Sequence, residues 1–216
     1  MVHDGPFHNW LEVNVYEFLA SGGTTMVFLL LSSVLALAII FERSWSLRRK
    51  VVIPDGQIEL IEEAVKQGDV KKAMELCSAH NTAMSRILWV ALQHRGATRP
   101  VLKEMLEEVG RQEVAHLERY VGVLGVIGSI APLLGLLGTV IGMIEVFQVT
   151  SIQGVGKADI LAGGISKALN TTAAGLTIAI PSLTAYRFFE ARVNGFVLEI
   201  EHHALRFVEL LKGTRS

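Results

Sequence analysis

Two long apolar segments, Val121–Val149 and Ile160–Tyr186, are separated only by the polar link VTSIQGVGKAD. No other feature constrains the chain as much, because each segment is longer than the roughly 20 residues needed to cross a bilayer core. Neither is a plain apolar anchor. The first carries Gly122, Gly125, Gly128, Gly135, Gly138 and Gly142 with Pro132 and Thr139; the second carries Ser166, Lys167, Asn170, Thr171, Thr172, Gly175, Thr177 and Pro181. Lipid gains nothing from Gly, Asn or Lys on a helix surface, so these residues must face protein or water. The pair reads as a helical hairpin built to pack inside a membrane.

A mean hydropathy of +0.42 with only 19% charged residues agrees with a membrane chain. A third apolar run, Thr24–Phe41, follows a segment with no Lys or Arg and precedes Arg43, Arg48, Arg49 and Lys50. The positive-inside rule therefore puts the N-terminus outside and residues 42–120 in the cytoplasm. Three crossings return the C-terminal tail to the cytoplasm, in keeping with its Arg187, Arg192, Arg206, Lys212 and Arg215. A cleaved signal peptide fits the first run poorly, since no basic region precedes it and charge follows it. Cys77 is the only cysteine, which excludes a disulfide within the chain.

The expected fold is an all-α membrane protein of three transmembrane helices, two of them extended into the cytoplasm, with a small helical cytoplasmic domain. In order, these are an outer N-terminal segment (1–23), a first span (24–41), the cytoplasmic segment (42–120), a second span (121–149), an outer link (150–159), a third span (160–186) and a cytoplasmic C-terminal helix (187–216). Residues 7–20 are aromatic-rich and could lie on the outer membrane face. Within 42–120, helices are expected after Pro54-Asp55 up to Gly68-Asp69, over Val70–Cys77, over Ser85–His94, and from Thr98-Pro100 onward. The apolar stripe Leu102, Leu106, Val109, Val114, Leu117, Val121 predicts one helix from 100 to 149, about 75 Å long.

Enzymatic chemistry finds little support. The seven histidines lack metal-ligand spacing. GLLGTVIG lacks the lysine a phosphate loop requires, and nothing in the chain suggests a cofactor or nucleic acid as ligand. Gly128, Pro132, Gly135, Thr139 and Gly142 instead form a seven-residue repeat of small positions, and Gly138 and Gly142 are a small-xxx-small pair. Three spans of one chain leave more such surface than they can cover, so a homo-oligomer is expected. Lys167 and Glu145 stand at similar depth on the two arms of the hairpin, and an ion pair between them would offset part of the cost of an intramembrane cation.

APLLGLLGTVIGMI on the second span and GGISKALNTTAAGLTIAIPSLTAY on the third resemble the signature hairpin of the ExbB/TolQ/MotA family. The span order and the segment GDVKKAMELC are similar to its ExbB and TolQ branch. The resemblance implies an inner-membrane ring, typically a homopentamer, around a dimer of single-span ExbD-type partners. Proton-motive force would drive the complex, with H⁺ favoured over Na⁺, to energise TonB-dependent transport across the outer membrane through a TonB-type protein. By the same resemblance Thr139 and Thr172 line the ion path, with Asn170 and Thr171 beside them, while Pro132 and Pro181 match the family's intramembrane prolines. Lys167 departs from the pattern, standing where relatives commonly have a glutamate. A TolQ-like envelope role or a flagellar-stator role is the alternative within the family. A non-motor membrane scaffold is the alternative of another class.

Overall fold

The computed structural model describes residues 23–54, 56–80, 82–153 and 158–213, and all of their regular structure is helical. Eight helices follow in order: α1 (Gly23–Ser46), α2 (Arg49–Val52), α3 (Gln57–Lys66), α4 (Val70–Ala79), α5 (Ala83–Gln93), α6 (Arg99–Glu118), α7 (Val121–Gln153) and α8 (Ala158–Gly213). The expected outer helix of 7–20 and residues 154–157 of the link lie outside the described residues. The chain divides into two units, one of residues 1–40 with 123–186 and one of 41–122 with 187–216.

In the first unit, α1 packs on the α7–α8 hairpin through a small core of Met26, Leu29, Ala131 and Ala179, flanked by Leu134, Ala174 and Ile178. Most of the large apolar side chains turn outward instead: Leu31 is 63% exposed, Val34 66%, Leu133 64%, Phe147 63% and Ile180 66%. A water-soluble domain does not leave so much contiguous apolar surface uncovered. Two helices, α1 and α7 over Val121–Ser151, are long and apolar enough to cross a membrane. The third expected span is the N-terminal half of α8, where Ser166, Lys167, Asn170, Thr171 and Thr172 interrupt the apolar run.

The second unit is built like a soluble helical domain. Leu47, Ile53, Ile61, Met84, Ile87, Leu88, Leu92, Leu102 and Phe207 are fully buried at its centre. Asp69 caps α4 by accepting from the Lys72 amide at 3.0 Å, and Thr82 caps α5 by accepting from the Ser85 amide at 3.2 Å. Ion pairs tie the C-terminal part of α8 to this core: Arg49 to Glu199 at 2.6 Å and Arg206 to the buried Glu62 at 3.1 Å. Arg192 adds a bond to the Leu47 carbonyl at 2.7 Å. Arg86 pairs with the buried Glu113, and that hydrogen bond raises the Arg86 pKa above its ordinary value.

The single helix expected from 100 to 149 is interrupted. Helix α6 stops at Glu118, and Tyr120 takes φ 63°, in the left-handed region. That conformation costs a non-glycine residue about 1–2 kcal/mol. Cation–π contacts offset it, with Arg43 and Arg119 lying 5.7 and 4.6 Å from the Tyr120 ring centroid. Arg43 also donates to the Leu117 carbonyl at 3.3 Å, satisfying an orphan acceptor of the last turn of α6. The apolar stripe carried no sign of this break, because it records which face of a helix is buried and not the contacts that Arg43, 77 residues earlier in the chain, makes with Leu117 and Tyr120. By contrast α8 continues from Ala158 to Gly213 as one helix of 56 residues, passing Pro181 without ending.

Candidate functional site

The two arms of the hairpin meet along a seam of small residues, and the seam is tight enough that side chains are excluded over most of its length. A Cβ on Gly125 would lie 3.3 Å from the Tyr186 ring, and one on Gly128 would lie 3.0 Å from Leu183. On Gly135 it would meet the Thr171 carbonyl and the Thr172 Cα, both at 3.0 Å. A Cβ on Gly138 would overlap the Thr171 side chain, and one on Gly142 would lie 2.9 Å from Ala168. From the other arm, a Cβ on Gly175 would sit 2.5 Å from the Ala131 carbonyl, and one on Gly164 would overlap Val146. Close approach of this kind, against backbone at Gly128, Gly135 and Gly175 and against side chains at the other four, replaces the hydrophobic drive that lipid removes.

Four hydroxyl and amide positions lie on or beside this seam. Thr172 is half-buried, and its hydroxyl donates across the hairpin to the Gly135 carbonyl at 3.0 Å. Thr171 is 1% exposed; its hydroxyl donates to the Lys167 carbonyl at 3.2 Å while its methyl faces Gly138. Thr139 is half-buried and bonds back to the Leu136 carbonyl of its own helix at 2.6 Å. Asn170 is half-buried. Pro132 is half-buried inside α7, and Pro181 faces outward inside α8. Each removes one backbone donor from its helix without breaking it.

Lys167 and Glu145 come together without touching. Both line a cavity of about 50 Å³ whose other walls include Thr24, Thr25, Gly138, Gly142 and Thr171. Glu145 is exposed and Lys167 half-buried, and among the described residues no ion pair joins them. The direct pair expected across the hairpin is therefore absent within one chain.

Sequence reasoning missed Thr25, Gly164 and Ala168 as seam residues. Gly164 and Ala168 form a small-xxx-small pair that spacing alone could have found. Thr25 carried no signal, because its burial depends on where α1 lands. Chemically the hairpin offers hydroxyls and backbone carbonyls, with Glu145 and Lys167 as the only charged residues of its two apolar segments, 121–149 and 160–186. Such a surface can solvate or hydrogen-bond an ion or an acidic group, but it places no carboxylate at mid-hairpin.

The sequence pattern of the MotA/TolQ/ExbB proton channel family matches residues 79–202, more than half of the chain, including the whole hairpin. A biopolymer transport protein of Synechocystis sp. described as ExbB-like 1 is 38% identical over 175 residues, covering 79% of this chain and 68% of that protein. A biopolymer transport protein ExbB homolog from Methanothermobacter thermautotrophicus is 28% identical over 188 residues, 87% of this chain and 67% of that one. The glycine seam, the outward apolar faces and these likenesses converge: the chain is a membrane protein and belongs to the MotA/TolQ/ExbB proton channel family, on its ExbB-like side.

Proposed function

We propose that this chain is the ring-forming subunit of an ion-driven complex of the bacterial inner membrane, which energises transport across the outer membrane together with an ExbD-type partner and a TonB-type protein. In this reading the N-terminal half of α8 is a third membrane crossing, the N-terminus is periplasmic and the C-terminus cytoplasmic. Five copies form the ring, and a dimer of single-span partners stands in its centre.

One observation carries the proposal: Thr139, Thr171 and Thr172 stand at mid-hairpin, while the one carboxylate of the two apolar segments 121–149 and 160–186, Glu145, lies toward the link and shares its cavity with Lys167. A driven ion needs a titratable group inside the membrane, so a partner helix must bring it. The driving force, about 2.3 kcal/mol per charge per 100 mV, is large enough to repack a helix interface. The likeness to ExbB-like transport proteins supports this branch over the TolQ-like and stator readings. Of the two candidate ions H⁺ fits better, since a hydroxyl beside a carboxylate can pass a proton without the full oxygen cage that Na⁺ requires.

The test is reconstitution. The chain should purify as a closed homo-oligomer by native mass spectrometry. Co-expressed with a single-span protein bearing an intramembrane Asp, it should conduct protons into vesicles. A monomer under both conditions would overturn the ring, and a complex that forms but never responds to a proton gradient would favour the scaffold alternative.

A further inference from the structure

The cavity in the first unit has two opposite charges on its wall and room between them. At about 50 Å³ it has space for about three to five waters, since each needs roughly 10–15 Å³ of such volume. It is also polar enough to keep them, because the Lys167 ammonium offers three donors, Glu145 offers acceptors, and Thr24, Thr25 and Thr171 contribute hydroxyls. From α1 the lining brings no charge; from α7 it brings only Glu145, and from α8 only Lys167, among the described residues. A lone cation there would be costly and would recruit a counter-charge. Glu145, on the wall of the same cavity, is that counter-charge.

We propose that Lys167 and Glu145 form a water-bridged charge pair in this cavity, a neutral hydrated site where each charge sets the other's field. The pair would make Lys167 a specificity-determining residue: it cancels the carboxylate that could otherwise hold a cation or a proton within this chain. The inference goes beyond the proposed motor function and does not depend on it, because stability and thiol chemistry can be read without ion flow or a partner.

Lys167→Glu is the decisive variant. It puts two carboxylates on one cavity, where like charges repel and no cation of the lining is left to offset them. The variant oligomer in detergent should lose thermal stability at about pH 8 and recover it towards about pH 5, with the shift in Tm exceeding the wild-type shift by at least about 3 °C. Adding Glu145→Gln should abolish that excess. If Lys167→Glu tracks the wild type at every pH, or if the excess survives Glu145→Gln, the two residues do not sense each other and the pair is wrong.

A second readout tests the water and does not require Lys167→Glu to fold. In a Cys77→Ala background, Thr24→Cys places a thiol on the cavity wall. It should react with small cationic and anionic thiosulfonate reagents at similar rates. Lys167→Met should raise the cationic-to-anionic rate ratio several-fold, and Glu145→Gln should lower it. A thiol that no reagent reaches would overturn the hydrated cavity, and a ratio indifferent to both substitutions would overturn the pairing.

Discussion

The Thr172 hydroxyl donates to the Gly135 carbonyl across the hairpin at 3.0 Å, joining the two arms by a side chain where Gly135 lies against the Thr171 and Thr172 backbone. Thr139, the other hydroxyl of the expected ion path, bonds within its own helix. The two threonines are therefore not equivalent: one ties the helices together, and the other can turn its hydroxyl toward a partner with little loss.

Replacing Thr172 by Val keeps the shape and removes that cross-link. Interhelical hydrogen bonds of this kind are worth about 0.6 kcal/mol on average in membranes, with a maximum near 1.7. Thr172→Val should lower the unfolding free energy in detergent by about 1 kcal/mol, whereas Thr139→Val should change it by less than half as much. If the proposed function is right, ion-driven activity falls in both variants, so a Thr139→Val protein of normal stability and full activity would remove Thr139 from the ion path.

The glycines should separate into two classes under alanine substitution. At Gly175 the new Cβ would meet the Ala131 carbonyl at 2.5 Å, backbone that cannot step aside. At Gly138 it would meet the Thr171 side chain and the Thr25 hydroxyl. Both variants should lose about 1–3 kcal/mol through forced separation of the helices. At Gly163 nothing lies within 4 Å, so alanine there should be neutral or stabilising by up to about 1 kcal/mol from its better helix propensity. Chemical denaturation of the three variants side by side checks the ranking, and equal losses would mean the seam is not close-packed.

Arg86 and Glu113 should respond asymmetrically. The Glu113 side chain is 8% exposed and that of Arg86 42%. Removing the arginine strands a buried carboxylate, while removing the carboxylate leaves a guanidinium that water can reach. Arg86→Met should cost about 2–3 kcal/mol and Glu113→Gln about 1 kcal/mol, with the double variant better than the sum of the two. A strictly additive cycle would show that the pair contributes nothing.

Burial pushes the Cys77 thiol from 9.0 up to about 12. At neutral pH it stays protonated and enclosed, so iodoacetamide should label it in denaturant and leave the native protein almost untouched. The folded state holds the proton more tightly than the unfolded chain does. Its stabilising contribution is complete below about pH 9 and is lost as pH rises towards about 12. Cys77→Ala should remove that alkaline loss from the stability profile.

How much of this was legible in advance differs from element to element. Helices α3, α4 and α5 were readable because Pro54-Asp55 and Gly68-Asp69 punctuate the segment and apolar residues recur at helical spacing; the structure adds the left-handed turns at Gly56 and Gly68 and the caps Asp69 and Thr82. Gly128, Gly135, Gly138 and Gly142 were readable as a packing seam because their period matches the helix and lipid gives them no other use. The break at Tyr120 was not readable. A left-handed tyrosine is unfavourable by itself, and part of what offsets it, the Arg43 guanidinium, comes from a part of the sequence too distant to signal the contact.

The same division holds for the charges. Sequence alone determined that Lys167 and Glu145 stand at similar depth on two arms of one hairpin, because helical rise converts residue number into depth. Depth along a helix says nothing about which way a side chain leaves it. Only the tertiary structure decided that both line one cavity without touching, with α1 supplying the remaining wall through Thr24 and Thr25. Periodicity within a helix is written in its own residues, whereas the gap between helices is set by every side chain that keeps them apart.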